Sequence, residues 1–311
     1  MVPLQLGGQR GGSSMARTLV TGCNGQLGRA VRALADARGL LDNFDFCDID
    51  EFDFSNLAQY DRYDWSLYDT LINCGAYTAV DRAETPEGRI ACWRANATGP
   101  ALLARTCSEH GITLVHVSSD YVFDGSRKDH GEDEDLSPLS VYGQSKAAGD
   151  LAVGGCSRHY VVRSSWVIGE GKNFVLTMRR LSRRCADAAD PLTRVTVVND
   201  QFGRLTFTNQ MAEGIFALID SGAPYGTYNL TGSGRVVSWA EIAREVFAFT
   251  CGNDSSIRPV STAEYYAAVS GPFAPRPRHS DLDLSKICAI GFVPRNWEDE
   301  LRDYLSNLEE D

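Results

Sequence analysis

From Thr18 onward, short β-branched runs alternate with longer stretches in which apolar residues recur every three or four positions. The runs at residues 18–21, 43–47, 70–73, 113–118 and 160–164 predict strands, because branched side chains suit a pleated, buried surface. Between the first two, Leu27, Ala30, Val31 and Leu34 fall on one helical face, and Gly39 stands where that helix would stop. Helices are predicted in the same way over 96–110 and 142–153. Beyond about residue 166 the alternation loosens: helices are expected over 173–186, 209–221, 238–249 and 298–308, and strands at 194–198 and 227–230. Pro272, Pro275 and Pro277 mark a loop.

Strands alternating with helices imply right-handed crossovers and a mostly parallel sheet covered on both faces. The fold class is α/β, a doubly wound Rossmann-type parallel sheet with a smaller C-terminal substrate lobe. Such folds bind ligands outside the carboxyl ends of their strands.

Composition narrows the function. With 43% hydrophobic and 23% charged residues, the chain reads as an ordinary globular protein. No run approaches the ~20 apolar residues of a bilayer helix, and the opening residues lack a secretory signal, so a cytoplasmic protein with no membrane partner is expected. Its net charge of −11 opposes sequence-independent binding to nucleic acid. The nine cysteines show no spacing with matching histidines, so they read as reduced thiols and no metal site is assigned.

The first strand runs directly into Gly22-Cys-Asn24-Gly25-Gln26-Leu27-Gly28 and then a helix. A glycine turn at a helix start lets the backbone approach a pyrophosphate and aims free N–H groups and the positive dipole end at it. Asp48 ends the second strand about 20 residues on, where a ribose diol is read. Its carboxylate would accept from a 2′-hydroxyl and repel a 2′-phosphate, which favours NADH; Arg29, at the helix start, could instead pair a 2′-phosphate, so both NADPH and NADH stay open. Asp53, Phe54, Cys74, Gly75 and Ala76 follow the next elements and suit a dinucleotide lying across the strand ends. The division expected is a linker- or tag-like start at 1–14, an NAD(P)-binding domain at 15–165 with return segments at about 200–232, and a substrate lobe at about 166–199 and 233–311.

Tyr142 and Lys146 stand one turn apart on the predicted helix. A cation there favours the phenolate and lowers a phenol pKa normally about 10. Such a tyrosine can protonate a carbonyl oxygen as hydride reaches the carbon. Ser119, at the end of the fourth strand, could hydrogen-bond the same oxygen. The acidic run Glu132–Asp135 reads as a solvated loop face, and no histidine is assigned a catalytic role.

These residues carry a family resemblance. The glycine turn, Ser119, Tyr142 and Lys146 look like the extended short-chain dehydrogenase/reductases. The motifs NCGAYTAVDRAE (73–84), VSSDYVFDG (117–125), VYGQSK (141–146), RSSWV (163–167) and NDQFG (199–203) resemble the dTDP-4-dehydrorhamnose reductase family, from about Arg17 to the C-terminus. The resemblance implies that Ser119, Tyr142 and Lys146 are the catalytic set, with Tyr142 and Lys146 also at the cofactor. It implies that Asp120, Tyr121 and Trp166 line the sugar site and that Arg276 contacts a nucleotide phosphate. Some members form dimers bridged by magnesium through glutamates; two matching positions here are Ala30 and Asn209, which supply no carboxylate.

The activity implied is reduction of the 4-keto group of a dTDP-sugar, dTDP-4-dehydro-β-L-rhamnose, by NAD(P)H. The Gly/Ser-rich start also allows a 3,5-epimerase as fusion or partner. Alternatives are another nucleotide-sugar reductase or epimerase, or a non-catalytic regulatory subunit resembling the methionine adenosyltransferase β subunit. A 4,6-dehydratase typically has an Asp-Glu pair after its catalytic hydroxyl residue, where this chain has Asp120-Tyr121.

Overall fold

The computed structural model describes residues 17–187, 194–267 and 271–308; the start at 1–14, expected to be a linker, lies outside them. The first half runs β1 (Arg17–Thr21), α1 (Gln26–Ala37), β2 (Phe44–Cys47), β3 (Tyr68–Asn73), α2 (Pro86–Trp93), α3 (Gly99–His110), β4 (Thr113–Ser119), α4 (Val141–Gly154) and β5 (His159–Ser164). The second half adds β6 (Val167–Ile168), α5 (Phe174–Asp187), β7 (Val195–Val198), β8 (Phe202–Gly203), β9 (Thr206–Phe207), α6 (Thr208–Asp220) and β10 (Gly226–Asn229). It closes with β11 (Val237–Ser238), α7 (Trp239–Cys251), β12 (Ile257–Val260), α8 (Thr262–Ala267), α9 (Ser285–Ala289) and α10 (Trp297–Ser306).

Six parallel strands form the central sheet in the order β10-β5-β4-β3-β1-β2, as the α/β doubly wound reading expects. The chain passes from β2 across β1 to β3, so strand order reverses between β1 and β3 and opens a crevice at their carboxyl ends. One sheet face is covered by α1 and α6, whose Val31, Met211 and Ile215 are fully buried against Val20 and Ile72. The other face buries Leu103 and Cys107 of α3, and Phe52, Tyr60 and Trp65, against Leu19, Leu71 and Leu114. Each such large side chain contributes roughly 1.5–3 kcal/mol relative to exposure. A further core joins Val175 and Met178 of α5, Ile242 and Val246 of α7 and Leu301 and Leu305 of α10. Within 200–232, α6 packs on α1 and β10 pairs with β5, whereas β8 pairs with β11 and β9 with β6. Among the described residues no helix is long and apolar enough to cross a membrane.

Two expectations are corrected. The helix predicted over 96–110 is the last part of a longer, interrupted run. It opens at α2, where the Thr85 hydroxyl accepts the Gly88 N–H (3.0 Å) and Pro86 takes the first turn. Arg94–Thr98 then forms a π turn before α3. Asn96 within it is buried, its amide donating to the Tyr77 carbonyl (3.0 Å) and accepting the Tyr77 N–H (2.9 Å). The wider turn lets this polar side chain be satisfied inside the fold.

The acidic run is also not a purely solvated face. Glu134 reaches in to the buried His130 (3.0 Å), and Glu132 accepts the Asn229 N–H (3.0 Å). Asp133 and Asp135 alone face outward. Four carboxylates in a row carry no alternation in the sequence, so only their folded partners reveal which face inward.

Candidate active site

The crevice at the β1/β3 switch deepens into a cavity of about 1270 Å³. Its wall includes Gly22, Asn24, Gly25, Gln26, Leu27, Asp48, Asp53, Phe54, Cys74, Gly75 and Ala76 on one side, and Ser119, Asp120, Tyr121, Tyr142, Lys146, Trp166 and Arg276 on the other. Every residue singled out from the sequence therefore lines it except Gly28, which packs beneath: a Cβ there would stand 2.3 Å from the Gly22 carbonyl oxygen.

The turn that opens α1 depends on close backbone approach. Gly22 has φ +68°, and a Cβ on it would sit 2.5 Å from the Gly75 backbone, so a side chain is excluded twice over. Asn73, at the end of β3, ties the two strand ends together by accepting from the Thr21 hydroxyl (2.8 Å) and the Gly75 N–H (3.0 Å). Phe54 lies against the Cα atoms of Gly75 and Gly99, where a Cβ would meet its ring at 2.6 and 2.4 Å. No side chain caps α1 and no acidic residue stands in its first turn, so its N–H groups face the cavity edge free to hold an anion.

Beside the glycine turn the structure adds contacts that the sequence does not show. Asp48 Oδ2 accepts the Asn24 N–H (2.8 Å), so the carboxylate shapes the turn as well as facing the cavity. Arg29, also on the cavity wall, donates to the Asn24 and Glu170 carbonyls (2.7 and 2.8 Å) and pairs with the Glu170 carboxylate (3.2 Å). Asp53 pairs with Arg94 (3.1 Å).

At the other end, β4 delivers Ser119, the turn after it Asp120, and the first turns of α4 deliver Tyr142 and Lys146. Ser140 caps α4 by accepting the Gly143 N–H (3.1 Å). Tyr142 is 8% exposed and meets Tyr121 edge to face, with ring centroids 5.4 Å apart. Lys146 is 2% exposed, and its ammonium donates to the Val117 carbonyl (2.6 Å). Burial pushes the Lys146 ammonium down to about 8, against the opposing charge of Asp150. The depressed phenol expected of Tyr142 is not found: burial and the nearby Asp120 raise it above its ordinary range, outweighing the Ser119 hydrogen bond. Burial of the ring is the dominant cause.

Arg276 faces the cavity with its guanidinium already paired. It donates to both Asp81 oxygens (2.9 Å each) and stands 5.3 Å over the Tyr266 ring. Although burial works the other way, Arg276 and the Ala274 N–H hold Asp81 below the usual carboxylate range. Trp166 has φ +49°, a conformation that costs about 1–3 kcal/mol for a bulky residue, and its indole stacks on Trp239 with centroids 3.8 Å apart.

The family described as RmlD substrate binding domain matches residues 16–310. A dTDP-4-dehydrorhamnose reductase of Mycobacterium tuberculosis is 36% identical over 306 residues, 93% of this chain and 92% of the relative. The chain belongs to the dTDP-4-dehydrorhamnose reductase family. Crystal structures of two family members share the fold. That from Clostridium acetobutylicum superposes with TM-score 0.83 at 32% identity, covering 93% of this chain and 98% of that one. That from Bacillus anthracis, in complex with NADP, has TM-score 0.83 at 30% identity, covering 94% and 99%.

Several cavity residues of this reductase-family chain escaped the sequence reading. Trp239 and Asn173 reach the cavity from the C-terminal half, and Tyr77 and Val80 from the segment after β3. Tyr77 and Val80 lay inside the NCGAYTAVDRAE motif and were open to assignment. Trp239 carried no local signal, because its place depends on a stacking partner far away in the chain.

Proposed function

We propose that this chain reduces the 4-keto group of dTDP-4-dehydro-β-L-rhamnose with NAD(P)H, giving dTDP-L-rhamnose. The observation that carries the reading is the meeting of Ser119, Tyr142 and Lys146 in the same cavity as an uncapped glycine turn, in a chain of this family. The cradle fits a dinucleotide: Gly22, Gly25 and Gly75 let it approach the backbone, and Asp48 stands at the end of β2 for a ribose hydroxyl.

The chemistry NAD(P)H supplies when bound is hydride for C4 of the sugar. Tyr142 passes its proton to O4, and its raised pKa keeps that proton in place until needed. Lys146, one turn on along α4, would steady the phenolate so formed and hold the nicotinamide ribose. Ser119 orients the keto oxygen. Asp120, Tyr121 and the Trp166 indole border the sugar, and Arg276 supplies a fork for a phosphate once Asp81 releases it. Nine free thiols fit a reducing, cytoplasmic location.

The test follows the near-ultraviolet absorbance of reduced nicotinamide with NADPH or NADH. The sugar supplied is dTDP-4-dehydro-6-deoxyglucose, with and without a separate 3,5-epimerase. Oxidation that depends on the epimerase supports the reduction. No oxidation despite bound cofactor overturns it in favour of a regulatory subunit.

A further inference from the structure

Ser119 carries one hydroxyl proton, and that proton is already committed. Ser119 Oγ donates to Asp120 Oδ1 (2.9 Å) and accepts the Tyr121 N–H (3.2 Å). What remains for the cavity is a lone pair, which can hold an alcohol or the Tyr142 phenol but not a keto oxygen, since a ketone only accepts. A carboxylate at Asp120 fixes the hydroxyl in this direction. A carboxylic acid there donates to Ser119 Oγ instead and frees the serine proton.

Resting on the proposed reduction, we propose that Asp120 is a positioning residue whose protonation turns Ser119 from an acceptor into a donor toward the keto oxygen. The ketone is then bound productively with one proton taken up from water onto Asp120 Oδ1, while the Ser119 hydroxyl rotates. No bond to carbon changes in this step, and the proton that later reaches O4 still comes from Tyr142.

The surroundings suit an acid that changes state near neutrality. Asp120 is 2% exposed. Burial pushes its carboxyl up to about 6, opposed by Ser280 from the segment after Arg276, by Ser119 of β4 and by His130, which Glu134 holds in place. The remaining titratable neighbours, Tyr121 in the turn after β4, partly buried, and Tyr142 of α4, buried, are phenols raised above their ordinary range, so they stay protonated across this interval. The same ionised state that misdirects Ser119 for the ketone still lets it accept the product hydroxyl.

The experiment measures kcat/KM for the keto sugar between about pH 5.5 and about pH 7.5 in the wild type, Asp120→Asn and Ser119→Ala. Wild-type kcat/KM should fall by roughly tenfold or more across this interval as Asp120 ionises. Asp120→Asn, whose amide can donate to Ser119 at every pH, should lose that fall. Ser119→Ala should lose it too, at a lower rate, because no hydroxyl is left to redirect. A wild-type profile without the fall, or an Asp120→Asn profile as steep as wild type, overturns the inference while leaving the reduction standing. Absence of wild-type turnover at every pH overturns the reduction itself. Cofactor affinity measured on each variant separates a folding defect from the effect sought.

Discussion

In the proposed reduction, Tyr142 and Lys146 divide the chemistry of a single proton. The phenol is raised by burial and holds its proton, while the ammonium, pushed down to about 8, keeps its charge through neutrality and loses it above. Replacing Tyr142 with Phe should leave cofactor binding intact and cut turnover by ~10²-fold or more; rates close to wild type would refute the assigned acid. Asp48 accepts the Asn24 N–H and also lines the cavity. Asp48→Ala should shift the ratio of NADH to NADPH affinity toward NADPH by roughly tenfold, and a ratio that does not move removes Asp48 from cofactor choice. Both residues were visible in the sequence because their spacing from a strand end or a helix start is local. The state of Tyr142 was not, since it depends on how deeply the folded chain buries the ring and how near Asp120 comes, which no spacing in the sequence contains.

At the scale of elements, two loops meet at the Arg276 end of the cavity. Asp81, shortly before α2, grips Arg276 and accepts the Ala274 N–H (3.0 Å), joining chain segments that are remote in sequence. The expected phosphate contact is therefore occupied by an internal carboxylate. Asp81→Asn keeps an acceptor for Ala274 and removes the charge that competes with a diphosphate. It should lower KM for the sugar nucleotide by up to about tenfold with cofactor affinity unchanged; a raised KM would show that Asp81 holds the loop open instead. The helix pattern from Gly99 to His110 was readable from periodicity, whereas α2 and the π turn were not. Their boundary is set by Asn96 finding both polar groups of Tyr77, a pairing across a loop that no spacing rule contains.

For the molecule as a whole, the parallel, doubly wound sheet was legible from alternating patterns, whereas the strand order was not; its reversal between β1 and β3 is why the glycine turn and Ser119 share one cavity. The C-terminal half was harder to read, because short strands such as β6, β8, β9 and β11 pair only with one another and carry almost no period. A ligand bound only by the folded chain stabilises it by mass action. NADPH at a hundredfold excess over its Kd should therefore add about 2.7 kcal/mol, read as a rise in Tm. A Gly22→Ala chain should show no such rise, since its added methyl collides with the Gly75 backbone that the cradle needs. If that variant were stabilised equally, the turn would not be where the dinucleotide sits.

The paired indoles of Trp166 and Trp239, 3.8 Å apart at the cavity wall, give the molecule an optical property of its own. Stacked chromophores share their excitation, so the emission of this pair depends on the distance and tilt between the rings. A pyranose settling against Trp166 would alter both, and intrinsic fluorescence would then report sugar arrival separately from nicotinamide oxidation, without any attached label.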